Sequence, residues 1–150
     1  MVLETRAQSI FADEMMMWLF DPEIARVRKT HHILIRFVRM DGLTFLEKRT
    51  GKLVKTFNPE TRPFDTHKPP SVEIEYTDNR RKRNTTRVTV DCIAALNPRK
   101  RCKLLIVSGL LKGAIVRHMK TLRDNIYVKH LDGGKSFILP KSILCPISED

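Results

Sequence analysis

From His31 onward, apolar residues recur at every second position in short runs separated by turn signals. This period of two constrains the chain more than any other feature, because it admits strands and turns and leaves little room for long helices. "HILIRFVRM" reads as a strand, Asp41-Gly42 as a type I′ hairpin turn and "LTFLEK" as the returning strand. Thr50-Gly51 then turns the chain again into "KLVKTF", so residues 32–57 are expected to form a three-strand meander. In "SVEIEY", Val72, Ile74 and Tyr76 alternate with Glu73 and Glu75. "TTRVTVDC" alternates likewise and faces it across the tip "DNRRKRN". These runs give five strands between residues 32 and 92, the number that closes a small barrel.

The segment Asn58–Pro70 holds four prolines in thirteen residues and reads as an extended connection, neither helix nor central strand. After a short break at Ile93–Pro98, a second series follows: "CKLLIVS", "AIVRHMK", "NIYVKHL", "KSFILP" and "SILCPI", with Asp132-Gly133-Gly134 as its tightest turn. Upstream, Ile10, Phe11, Met15, Trp18 and Leu19 share one helical face. Asp21-Pro22 reads as an N-cap followed by proline at the first position of a second short helix, "PEIARVRK". The run "MMMWLF" is expected to close one end of a barrel, with an exposed methionine-rich docking surface as the alternative.

Charge is the second constraint. The 150 residues carry a net +11 and a pI of about 10.0. Residues 1–75 hold 12 Lys/Arg against 11 Asp/Glu, whereas residues 76–150 hold 16 against 6. A basic half points to a polyanionic partner, nucleic acid first and an acidic protein or membrane surface second. Three cysteines without a CxxC pair, and an N-terminus lacking the pattern of a signal peptide, point to a reducing compartment. The location expected is nuclear, with cytoplasmic as the alternative. No apolar run reaches membrane-spanning length, and no membrane partner is expected.

The cations cluster. Arg80-Arg81-Lys82-Arg83 occupies a hairpin tip with Arg87 one strand step beyond, where mutual repulsion is relieved by phosphates; a nuclear import signal is the rival reading. Arg99-Lys100-Arg101 with Lys103 forms a second cluster, and Lys112, Arg117, Lys120 and Arg123 follow. All thirteen are candidate nucleic-acid contacts. Tyr76, Tyr127 and Phe137 lie at alternating strand positions that favour the core, so phosphate and shape contacts with little sequence preference are expected. A peptide-reading adaptor would need those three rings to form an aromatic cage.

No chemistry of an enzyme stands out. His31 and His32 point to opposite faces of a strand, Cys92 and Cys102 lack a second pair, and Cys145 and His130 are isolated. Arg49-Thr50-Gly51-Lys52 lacks the preceding glycine and following helix of a phosphate-binding loop and reads as a hairpin turn. Neither a metal nor a cofactor is expected.

In "VSGLLKGAIVRHMK", an aliphatic strand leads into Gly109-Leu110-Leu111-Lys112-Gly113 and a second alternating strand leads out. Gly109 can take the positive φ that leaves the strand, and Gly113 a second one on re-entry. This arrangement resembles the KOW motif of the transcription elongation factor NusG and of the large subunit of its eukaryotic counterpart, DSIF. "AALNPRKRCKLLIVSG" and "IYVKHLDGGKSFILPKSIL" extend the resemblance over about residues 98–147. Many members carry another glycine three residues after the second one, where this sequence has Val116. The family's amino-terminal NGN domain and repetitive tail are not evident.

The expected fold is mainly β: a helical segment at 1–30, a small β domain at 31–92 that is a diverged SH3-like barrel, a linker at 93–97 and a KOW-like SH3-like barrel at 98–150. The resemblance implies a non-enzymatic module that touches RNA, DNA or RNA polymerase in transcription elongation. A ribosomal or ribosome-assembly protein held by rRNA is the alternative.

Overall fold

The computed structural model describes residues 16–39, 46, 49–57 and 69–149. Strands dominate, and their pairings are antiparallel wherever the register is defined. The chain divides into two units, one of Met1–Phe20 with Ile35–Ala94, the other of Asp21–Leu34 with Ala95–Asp150. The short helix and the first strand residues thus group with the second unit, whereas the sequence reading kept residues 1–30 apart.

The strands of the first unit are β1 (His32–Phe37, of which Ile35–Phe37 belong here), β2 (Thr50–Phe57), β3 (Ser71–Thr77), β4 (Arg83–Thr89) and β5 (Ile93–Ala95). They run in the order β5-β1-β2-β3-β4, and a 3-10 turn at Val90–Cys92 precedes β5. Alternation dictates the burial. Val72 and Ile74 of β3 are fully buried, opposite the buried Val88 and Leu53 of the neighbouring strands, while Glu73 and Glu75 face outward. The β3–β4 hairpin pairs without a slip from Ser71↔Thr89 to Thr77↔Arg83, as the two alternating runs require.

The second unit contains α1 (Pro22–Val27), the start of β1, and β6 (Lys103–Ile106), β7 (Ile115–Leu122), β8 (Asn125–His130), β9 (Ser136–Pro140) and β10 (Leu144–Ser148). Their order is β10-β6-β7-β8-β9, and a 3-10 turn at Lys141–Ile143 precedes β10. Both units therefore repeat one plan: the last strand pairs with the first, and a 3-10 turn introduces the last. In neither unit do the outermost strands of the order pair with each other among the described residues, so backbone hydrogen bonds alone close no barrel. Leu104, Ile106, Val116, Ile126, Val128 and Leu144 form an aliphatic core, with Phe137, Leu139 and Ile143 packed against it. Each such side chain removed from water contributes about 1.5–3 kcal/mol.

Several expectations fall differently. Trp18 and Leu19 lie in a 3-10 turn, Met17–Phe20, and Ile10, Phe11 and Met15 lie outside the described residues. Met16 and Leu19 are buried, which leaves them no docking role. Asp21 does cap α1, accepting from the Glu23 N–H at 2.9 Å, with Pro22 at the first position. The Asp41-Gly42 hairpin, most of "LTFLEK" and the proline-rich connection up to residue 68 lie outside the described residues.

Thr50-Gly51 is not a turn; both residues belong to β2. A Cβ on Gly51 would sit 2.6 Å from Ile74 Cγ2 and 2.7 Å from the Glu75 carbonyl oxygen. The glycine is there for close approach of β2 to β3, a need that local sequence shares with turns. Gly51→Ala is expected to lower stability by about 1–3 kcal/mol. Urea unfolding checks this, and an unchanged midpoint would mean that β2 and β3 are less tightly apposed.

Candidate nucleic-acid interface

The candidate cations fall into two groups, one in each unit, and their surroundings differ. In the first unit, Asp78 builds the hairpin tip. Its Oδ1 accepts from the Arg80 and Lys82 N–H groups at 2.8 and 2.9 Å, and its Oδ2 from the Asn84 side-chain amide at 2.8 Å. These bonds, the Lys82 N–H foremost, hold its carboxyl below the usual carboxylate range. Arg80, Arg81, Lys82 and Arg83 are exposed around that carboxylate. Arg49 donates to the Thr77 carbonyl at 3.1 Å and to Asn79, and with Tyr76, Asp78, Asn79 and Arg80 lines a small pocket.

The outer face of the same sheet sets carboxylates among its cations. Lys55 pairs across from Glu73, which pairs across from Arg87, and Lys52 lies opposite Glu75. Arg83 Nε is 3.7 Å from Glu75. Arg87 also stacks on Phe57, its guanidinium carbon 3.7 Å from the ring centroid. Arg87 is thus committed within its own sheet.

In the second unit, Gly109 and Gly113 adopt φ values of +90° and +93°, which permit the tight connection between β6 and β7. The Gly113 N–H donates to the Ile106 carbonyl at 2.8 Å, and the Lys112 N–H to that of Gly109 at 3.2 Å. The Lys112 side chain does not stand free at a basic edge. Its ammonium donates to Asp21 Oδ2 at 2.5 Å, so one carboxylate both caps α1 and tethers the glycine loop. Leu110 is left fully exposed at the loop apex.

The remaining cations gather around β7. Register places Lys103, Arg117 and Lys129 directly across from one another on β6, β7 and β8. Lys103 is held by Glu149 and lowers the pKa of that carboxyl. Arg117 and Lys129 have no carboxylate in ion-pair contact among the described residues; Arg117 donates only to the Arg101 carbonyl at 3.4 Å. Like charges directly opposite destabilise a sheet, and here nothing lies between them. Arg99, Lys100 and Arg101 form the exposed turn before β6, with the Arg101 N–H donating to the His118 carbonyl at 3.0 Å. Lys120 is exposed on β7, and Arg123 in the turn that follows. Arg81, Arg101 and Arg123 all take left-handed backbone, at φ of +62°, +69° and +60°.

Sequence reasoning missed Lys129 and placed Tyr127 in the core. Ile126 and Val128 are fully buried, so Tyr127 and Lys129 between and after them must face outward. The inward partners were the available signal. Phe137 lies opposite Val128 and packs on the core, while Tyr76 meets Phe37 edge-on at 6.1 Å in the other unit. Within the second unit, Phe137 thus turns toward the core while Tyr127 turns away from it.

Among the described residues, no group of three or more His, Cys, Asp or Glu side chains is placed to hold a metal ion, and no helix is long and apolar enough to cross a membrane. Burial pushes the Cys145 thiol well above its ordinary value. No protein-family model matches the chain, and no curated protein matches it significantly.

The Asp21–Lys112 pair sets a pH dependence. The Lys112 ammonium, then the Glu23 N–H, hold the Asp21 carboxyl below its usual range, and Asp21 in turn raises Lys112. A depressed carboxylate contributes stability above its unfolded pKa of about 3.9 and loses it as pH falls through the lower folded value. Lys112→Met is thus expected to melt below the parent at pH 7, with the gap closing in acid as Asp21 is protonated. The raised lysine closes it again at strongly alkaline pH. Thermal melts across pH test this; a gap independent of pH would assign the loss to packing.

Proposed function

We propose that this chain is a non-enzymatic nucleic-acid-binding module built from two SH3-like barrels, the second of KOW type. It works in the nucleus on RNA or DNA in the setting of a transcribing RNA polymerase. Three features support the architecture. Both units share the strand order last-first-second-third-fourth, both place a 3-10 turn before the last strand, and Gly-x-x-Lys-Gly joins β6 to β7. Five strands in each unit and the small aliphatic core of the second also suit such barrels.

The observation that carries the function is the row formed by Arg117 and Lys129. Two cations meet across neighbouring strands without a carboxylate between them, although the first unit shows that this fold plan readily accommodates one. A phosphate backbone laid along the row relieves that repulsion and releases counterions, which makes affinity steeply salt-dependent and weakly sequence-dependent. Arg99, Lys100, Arg101 and Arg123 add exposed charge in the turns of the same unit.

Anisotropy titration with labelled single-stranded RNA and duplex DNA across a salt series tests the reading. Replacing Arg117 and Lys129 together with alanine is expected to weaken binding and to flatten the log–log salt slope by about 1.4–1.8. Replacing Lys55 and Arg87, which flank Glu73 across the sheet, with Arg87 stacked on Phe57, is expected to change the slope less. A folded Arg117/Lys129 double variant with parental affinity and slope would take the row out of the interface. Sedimentation with ribosomal particles in place of polymerase would move the module to a ribosomal setting.

A further inference from the structure

The charged row shares its face with apolar groups that phosphate contacts do not require. The register between β7 and β8 shifts between His118 and Lys120, so Met119 is an extra residue and both Met119 and Lys120 reach solvent. Beside them, Lys120, Tyr127 and Ile138 form a second cross-strand row on β7, β8 and β9. Met119 and Tyr127 are each 38% exposed, and Ile138 is 62% exposed. Tyr127 Oη donates to Ser136 Oγ at 3.0 Å, which fixes the ring before any ligand arrives.

We propose that this face takes single-stranded nucleic acid in preference to duplex, with one base stacked on Tyr127 and its neighbouring phosphates held by Lys120 and Lys129. The proposal rests on the nucleic-acid reading above. Lys120 is the direct cross-strand neighbour of Tyr127, and Lys129 lies two residues along the same strand, about 6.8 Å away. A cation therefore flanks the ring in each direction, matching a polymer in which flat apolar bases alternate with charged phosphates. Met119 and Ile138 extend the apolar surface around the ring. A duplex buries the faces of its bases in the stack, so it can engage the cations and leaves Tyr127, Met119 and Ile138 without a partner. Because only one ring is offered, one base per module is gripped and sequence preference stays low.

The test compares three labelled polymers on the full chain: a thymidine strand of about twelve nucleotides, an abasic strand of equal length, and a duplex. The parent is expected to bind the thymidine strand about tenfold more tightly than the abasic one, and more tightly than the duplex at equal salt. Tyr127→Leu, which keeps apolar bulk without a π face, should erase the preference for bases and leave the salt slope intact. Tyr127→Phe should retain the preference. Equal affinity for the thymidine and abasic strands, or tighter binding to the duplex, with a steep salt slope, would overturn stacking while the phosphate reading stands. Binding to none of the three, with an acidic peptide bound instead, would overturn both.

Discussion

The register between β7 and β8 decides what the second unit presents to solvent. Because side chains alternate strictly along a strand, burying Val116, Ile126 and Val128 obliges Arg117, Tyr127 and Lys129 to face outward together. A slip of one residue would bury the cations and expose the core, so the cationic row and the hydrophobic core are two sides of one constraint. The extra residue at Met119 relaxes that constraint locally, and there a polar and an apolar side chain reach the same face.

The two units use one strand plan for opposite electrostatic ends. In the order shared by both, β3 and β8 occupy the same place. β3 turns Glu73 and Glu75 outward, between the cations of β2 and β4, whereas β8 turns Tyr127 and Lys129 outward toward Arg117 and Lys120. A sheet that sets opposite charges across from one another gains from its cross-strand pairs. A like-charged one gives up some stability, and that repulsion becomes available to whatever polyanion docks.

Much of this arrangement was legible in the amino-acid sequence where the causes are local. Period-two runs and their turn residues located the β3–β4 hairpin and the strands from β6 to β10. Legibility failed where the cause is distant. Lys112 looked free because its partner, Asp21, lies 91 residues away. Arg87 looked free because Phe57 belongs to a strand on the far side of the proline-rich connection. Gly51 looked like a turn because glycine serves turns and close strand contacts alike. Tyr127 was misplaced because alternation names two faces without saying which is inside; Ile126 and Val128, set against Val116 across the pair, say which.

The left-handed arginines carry a further implication. A side chain bearing a Cβ is strained in that backbone region, by about 1–3 kcal/mol in unfavourable cases, and glycine would relieve it. Arg81, Arg101 and Arg123 stand at three separate turns where the fold tolerates that strain and keeps a guanidinium at the surface. Engineering for thermal robustness would reach first for glycine or asparagine at these turns, and each such gain would discharge the surface by one. In this protein, robustness and electrostatic reach draw on the same few backbone positions, so selection for either alone would erode the other.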